Sequence, residues 1–176
     1  MAPADYHPFS VPLRWAQNKI RKIQRQLEGF SYNVEGSTYC VDKQRPLWAM
    51  LQTGHRIRQE AKNIQCVEAV LLSLALTQGY TYLHRFGISY KAINPDGEVH
   101  RHLVLGVYSC GRFGALGISR EAGLHNKKLK FKKLRTLLHH YNKAWKDIGH
   151  KVLSITLSLP VSHTDEDAFV QWDYMY

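Results

Sequence analysis

The chain reads as a single α+β domain in which a helical N-terminal half packs on an antiparallel sheet. Three observations predict this. Apolar residues recur at helical spacing through about residue 78, and after Arg85 they alternate in short runs separated by turn residues. In addition, 176 residues with 44% hydrophobic content suffice for one packed core and are short for two domains.

The first twelve residues hold Pro3, Pro8 and Pro12, which predicts an irregular lead-in over 1–12 ahead of a domain spanning 13–176. From there Leu13, Ala16, Ile20, Ile23 and Leu27 alternate spacings of three and four, with arginines and lysines on the other faces. The spacing predicts an amphipathic basic helix over 13–28, closed by Gly29. Its apolar stripe suits either its own domain or the seam of a partner helix. Residues 30–45 alternate loosely and predict an extended segment or a short hairpin. Pro46 opens a second helix, in which Leu47, Met50, Leu51, His55 and Arg58 keep helical spacing despite Gly54. A third, from about Asn63 to Gln78 and closed by Gly79, is so apolar that most of it must be buried.

Strands follow at Ile88–Ile93, Val99–Tyr108 and Ala115–Ile118. Turn chemistry at Pro95-Asp-Gly97 and at Cys110–Gly114 joins them into an antiparallel meander. Asn126–Arg135 carries six basic residues, read as a solvated face that leads into a helix through Trp145. Residues 151–159 alternate as a half-buried strand.

A net charge of +10 and a pI near 9.6 attract polyanions: nucleic acid, an anionic membrane or an acidic protein tail. Patterning narrows the choice. No nucleic-acid motif is present, and the aromatics do not interleave with Lys127–Lys133 as a stacking platform would require. The N-terminal residues have neither a basic nor an apolar leader segment, and no apolar run is long enough to span a bilayer, so a soluble, cytosolic protein is expected. Cys40, Cys66 and Cys110 form no CxxC pair, which argues against a disulfide framework and a zinc site. His139, His140 and His163 lack acidic or cysteine partners at ligand spacing, so no metal or cofactor is implied.

Cys66 stands where the buried third helix begins, in Asn-Ile-Gln-Cys-Val-Glu-Ala-Val. Unpaired N–H groups and the positive end of the helix dipole favour a thiolate there, which makes Cys66 a candidate nucleophile; its alternative is a small residue packed in the core. A nucleophilic thiol needs a base and a group that orients the base. His102 lies on a predicted strand, and the next strand ends at Ser119-Arg120. If the strands are neighbours, His102 and Ser119 can share a face of the sheet, and the helix start can pack against it. His100 shares that face as a rim or packing residue. Cys40 and Cys110 read as bystanders.

The segments Cys66-Val-Glu-Ala-Val, Arg85-Phe-Gly-Ile-Ser-Tyr-Lys, Arg101-His-Leu-Val-Leu-Gly-Val and Gly111-Arg-Phe-Gly-Ala-Leu-Gly-Ile-Ser-Arg closely resemble the vasohibins, the tubulin tyrosine carboxypeptidases. The resemblance runs from about Val11 through Trp172 and includes Tyr32-Asn33, Arg45-Pro46-Leu47 and Val161-Ser162-His163. It implies a transglutaminase-like cysteine peptidase fold and a triad of Cys66 as nucleophile, His102 as general base and Ser119 as the group orienting the imidazole. It also implies that Arg120 reads the substrate's terminal carboxylate and that Tyr32 shapes the site. The family carries a lysine just before the nucleophile; this chain has Gln65, which removes one positive charge from carboxylate recognition. The implied activity is removal of the C-terminal tyrosine, or a similar aromatic residue, from α-tubulin in the cytoplasm and on microtubules. Lys127–Lys133 would then be a microtubule-holding surface, and a small helical partner like the small vasohibin-binding protein would sit on the N-terminal helix. Two alternatives stand beside it: a related cysteine peptidase with another acidic substrate, and a non-catalytic microtubule- or polyanion-binding module.

Overall fold

The computed structural model describes residues 11–175, with helices α1 (Leu13–Glu28), α2 (Leu47–Glu60), α3 (Cys66–Thr77) and α4 (Leu134–Asp147). The strands are β1 (His84–Ile93), β2 (Val99–Ser109), β3 (Arg112–Leu116), β4 (Lys127–Phe131), β5 (Lys151–Leu157) and β6 (Tyr174–Met175). They form one antiparallel sheet in the order β4-β3-β2-β1-β5-β6, so the expected meander is its centre. Residues 1–10 of the expected lead-in lie outside the described residues. None of the described helices is long and apolar enough to cross a membrane.

Strand alternation divides the core. Leu103, Leu105 and Val107 of β2 face one way, onto a cluster built with Ile20, Leu27, Leu71 and Leu74 of α1 and α3. Val104 faces the other way, with Phe86, Ile88 and Tyr90 of β1, onto Leu137, Tyr141 and Trp145 of α4. The sheet therefore carries helices on both faces, with the three N-terminal helices on one side and α4 on the other.

α1 follows its apolar spacing, with Ala16, Ile20, Ile23 and Leu27 buried. Gly29 caps it in the right-handed region (φ −71°), so the helix ends without the left-handed turn that glycine usually supplies. Pro46 occupies the N-cap of α2, and Ala61 ends that helix at φ 52°. α2 and α3 approach closely at Gly54, where a Cβ would stand 2.4 Å from the Leu71 carbonyl oxygen and 2.7 Å from the Ala75 Cβ. Glycine there, poor for helix propensity, is required by the packing.

Three expectations are corrected. Residues 30–45 contain no strand: their backbone meets the rest through an isolated bridge between Tyr32 and Ile64, and the segment is a loop tied down by side chains. Although Lys128, Lys130, Lys132 and Lys133 are exposed and α4 follows at Leu134 as expected, the run after Asn126 begins with a strand that its charge concealed. Within it Leu129 and Phe131 are buried, and Lys127 is 8% exposed, its Nζ donating to the Gly123 carbonyl at 2.6 Å and lying over the Tyr141 ring. α3 begins at Cys66 rather than Asn63, because Glu68 closes its first turn.

Arg85 of β1 fixes the far end of α3. Fully buried, it donates to the carbonyls of Leu74 and Ser162 and to Gln78 Oε1, joining the helix C-terminus to the segment after β5. Burial lowers its pKa to about 10, so it stays charged at neutral pH and complements the negative end of the helix dipole.

Candidate active site

The site lies where the start of α3 meets the start of β2 and the segment after β3. Glu68, in the first turn of α3, is fully buried. One carboxylate oxygen accepts the Gln65 N–H at 2.6 Å, and the other accepts the N–H groups of Thr38 and Tyr39, each at 3.1 Å. A single acidic side chain thus closes the helix start and holds the loop that passes it. Gln65 adds to the same tie: its Nε2 donates to the Asn33 carbonyl at 3.1 Å and its Oε1 accepts from Ser37 at 3.4 Å. Its amide is engaged with this loop, and Gln65 is not among the residues lining the neighbouring cleft.

Cys66 follows at the first helical position. Burial pushes its thiol up, and the N–H groups of Leu103, Val67 and Cys66 itself act in the opposite sense. The helix start therefore moderates the thiol's acidity loss without producing a resting thiolate, contrary to the expectation from helix position alone. The Leu103 amide in this set brings the sulfur to the residue beside His102.

His102 is 6% exposed on β2, and its Nε2 lies 2.7 Å from the Leu124 carbonyl oxygen. A carbonyl only accepts, so Nε2 carries the proton and Nδ1 is left as the basic nitrogen. Burial lowers the pKa of His102 to about 4 against the favourable Leu124 contact, and nearby His125 lowers it further. At rest the pair is a neutral thiol and a neutral imidazole.

The orienting group is where the structure departs from the sequence reading. Ser119 Oγ makes no hydrogen bond to the imidazole; it accepts the N–H of Glu121 at 3.1 Å, and the Ser119 carbonyl meets His125 Nε2. Both contacts fold residues 119–125 into the loop that delivers the Leu124 carbonyl. The reason is geometric: β3 ends at Leu116, and the chain turns away so that the short helical turn Ala122–Leu124 reaches His102. Nothing in the sequence marks Leu124, because the group it offers belongs to every residue. Glu68 was legible as the acidic third position after Gln65.

Arg120 lies with its guanidinium carbon 5.8 Å from the Tyr32 ring centre. Burial raises the Tyr32 pKa, the neighbouring Cys66 adds to that, and Arg120 opposes it, so Tyr32 feels both the thiol and the guanidinium. A cleft of about 300 Å³ opens here, lined by Tyr32, His102, Ser119, Arg120, Leu124 and Trp145 among others. His100 and His150 extend its wall, their rings 4.8 Å apart and edge-on. Of the six residues singled out in the sequence, Tyr32, His102, Ser119 and Arg120 line the cleft, while Cys66 and Gln65 adjoin it through the loop and strand contacts above. Among the described residues no group of three or more His, Cys, Asp or Glu side chains could hold a metal ion.

This arrangement offers a buried thiol at a helix start, a histidine with a fixed tautomer and a guanidinium at the cleft, a set suited to attack on a carbonyl near an anionic group. A mouse protein named Tubulinyl-Tyr carboxypeptidase 1 is 34% identical over 162 residues, which cover 92% of this chain. The aligned region is 43% of the mouse protein, so the chain spans less than half the length of that relative. With the family model described as Vasohibin matching residues 2–175, the chain belongs to the vasohibin family.

Proposed function

We propose that this protein is a cysteine carboxypeptidase that removes the C-terminal tyrosine, or a similar aromatic residue, from α-tubulin. The observation that carries the reading is that the His102–Leu124 pair and the Arg120–Tyr32 pair line one cleft, with Cys66 beside it at the start of α3, in a member of the vasohibin family. The activity named for the mouse relative supports the substrate.

Arg120 receives the terminal carboxylate with its two-pronged donor fork, steadied by the Tyr32 ring. Because Gln65 is neutral and tied to the 33–37 loop, the anchoring falls mainly on Arg120. Cys66 Sγ attacks the carbonyl carbon of the last peptide bond as its proton passes to His102 Nδ1, and the carbonyl electrons move onto oxygen, which the N–H groups at the start of α3 stabilise. Collapse breaks the C–N bond, and His102 returns the proton to the departing amine, leaving a thioester and a free amino acid. Water, deprotonated by His102, then hydrolyses the thioester and restores the thiol. Leu124 holds the imidazole in the tautomer that both steps need, and Ser119 shapes the loop that carries Leu124. The fold this chemistry fits is transglutaminase-like, with the nucleophile on a helix and the base on the adjacent strand.

The net charge of +10 suits the acidic tail of tubulin and work on cytoplasmic microtubules. A small helical partner on α1 is supported by Trp15, which is 42% exposed on the basic outer face of that helix; a stable, fully active monomer in a size measurement would refute a partner requirement. Gln65 favours one second reading, a related cysteine peptidase acting on another acidic chain end. The deciding experiment is mass spectrometry of an α-tubulin tail peptide, and of assembled microtubules, after incubation with the protein and with Cys66→Ala. Loss of one tyrosine with the parent alone is expected; no loss from either substrate would overturn the proposal.

A further inference from the structure

The end of a helical turn leaves carbonyls with no partner inside the turn. After the turn Ala122–Leu124 these are the consecutive carbonyls of Gly123, Leu124 and His125, and a different element answers each of them. Lys127 Nζ, at the start of β4, donates to Gly123 at 2.6 Å, and Tyr141 Oη, on α4, donates to His125 at 2.6 Å. Between them His102 Nε2, on β2, meets Leu124 at 2.7 Å. His102 thus takes the middle carbonyl of a row whose two neighbours are held from outside, since neither Lys127 nor Tyr141 lines the cleft.

The two outer holders also meet each other. Lys127 Nζ lies 4.7 Å from the centre of the Tyr141 ring, and Tyr141 is fully buried. Lys127 is more than nine-tenths buried, and among the described residues no carboxylate pairs with it. A buried cation without a counter-ion is costly, and burial lowers the Lys127 pKa accordingly. An apolar side chain of similar length would fill the space without that cost, so packing alone does not account for a lysine here. What the ammonium adds is a strong donor fixed on one carbonyl. The turn is also seated on α4: Leu124 is buried, and a Cβ on Gly123 would stand 3.1 Å from the Ala144 Cβ.

We infer that Lys127 and Tyr141 are positioning residues that clamp the Gly123 and His125 carbonyls and so hold the Leu124 carbonyl on His102 Nε2, leaving Nδ1 as the base. The catalytic part of this inference rests on the proposed carboxypeptidase reading, while the clamp on the imidazole stands without it. It gives β4 and α4 a part in setting the histidine tautomer, at one remove from the cleft.

The test follows the His102 Nε2–H by NMR of the uniformly isotope-labelled full chain, as the rate at which that proton exchanges with water. Lys127→Met is expected to speed the exchange about tenfold, the scale of one lost charge-assisted hydrogen bond. Tyr141→Phe, which keeps the ring and loses the hydroxyl, should speed it about threefold. The buried Leu105 N–H on β2 serves as reference and should exchange at the parent rate in both variants. Lys146→Met, at an exposed position of α4, makes the same change in charge and should leave His102 unaltered. Equal acceleration at Leu105 would reduce the effect to stability, and acceleration in Lys146→Met would reduce it to charge. Either result overturns the inference, as does unchanged exchange in both clamp variants; if Lys127→Met does not fold, Tyr141→Phe decides alone. On the tyrosine-ending tail peptide Lys127→Met should lower kcat roughly tenfold, and an unchanged kcat beside faster exchange would overturn the catalytic role. A parent protein that leaves the peptide intact counts against the carboxypeptidase reading, while the exchange rates still decide the clamp.

Discussion

His102 makes the stability of this protein depend on pH in a way that can be worked from the structure. Its ordinary pKa of 6.5 is lowered to about 4, chiefly because burial disfavours the charged ring. In the unfolded chain the imidazole takes a proton near pH 6.5, whereas in the folded protein it stays neutral until about pH 4. Between those values the unfolded state binds more protons, so stability rises with pH; the contribution is fully present above pH 6.5 and is lost as pH falls toward 4. At about 1.4 kcal/mol per pH unit, the full effect is about 3 kcal/mol, most of it lost by pH 4.5. Burial also lowers the pKa values of His140 and His163, which act in the same direction. The perturbation that isolates His102 is therefore a difference: urea unfolding of the parent and of His102→Gln, whose amide keeps a donor for the Leu124 carbonyl and does not titrate. Between pH 7.5 and 4.5 the parent should lose about 2 to 3 kcal/mol more than the variant. Parallel curves would refute the argument, since they would mean that His102 titrates alike in both states and is not buried against Leu124 as described.

Three further outcomes are expected. Ser119→Ala removes an acceptor for the Glu121 N–H on an exposed turn and should reduce kcat less than tenfold; a loss of about ten-thousandfold, the scale seen when a residue orienting a catalytic imidazole is removed, would return the orienting role to the Ser119 hydroxyl. Gly54→Ala drives a methyl group against the Leu71 carbonyl, so thermal unfolding should show a cost of about 2 to 3 kcal/mol and a fall in Tm of roughly 5 to 10 °C; an unchanged Tm would mean that α2 and α3 can move apart at no cost. Glu68→Gln places an amide N–H₂ against backbone donors, which should cost about 1 to 3 kcal/mol and accelerate amide hydrogen exchange at Thr38 and Tyr39, while unchanged exchange there would show that the loop is held by other contacts.

Much of the fold could be read along the chain because its signals are local. The three-four stripe of α1, the apolar run of α3 and the alternation of β1, β2 and β5 each follow from a periodicity that burial imposes on neighbouring residues. The segment at 30–45 misled because its loose alternation arises in a loop fixed by Glu68 and Gln65, side chains some thirty positions away in sequence. The lysine-rich stretch misled in a different way: charge outweighed its period of two, although Leu129 and Phe131 mark a strand whose Lys127 is buried over Tyr141.

For the site, the sequence by itself determined which side chains could do chemistry: a cysteine at a helix start, a histidine on a strand, an arginine after the next strand and a tyrosine that the family resemblance added. Tertiary structure alone decided how they are poised. Burial set the protonation of Cys66 and His102, overriding the pull of the helix start, because desolvation depends on everything packed around a group rather than on its place in an element. It also gave the orientation of His102 to the carbonyl of Leu124, a backbone group that no residue type announces and that only the path of the loop after β3 brings within 2.7 Å of the imidazole.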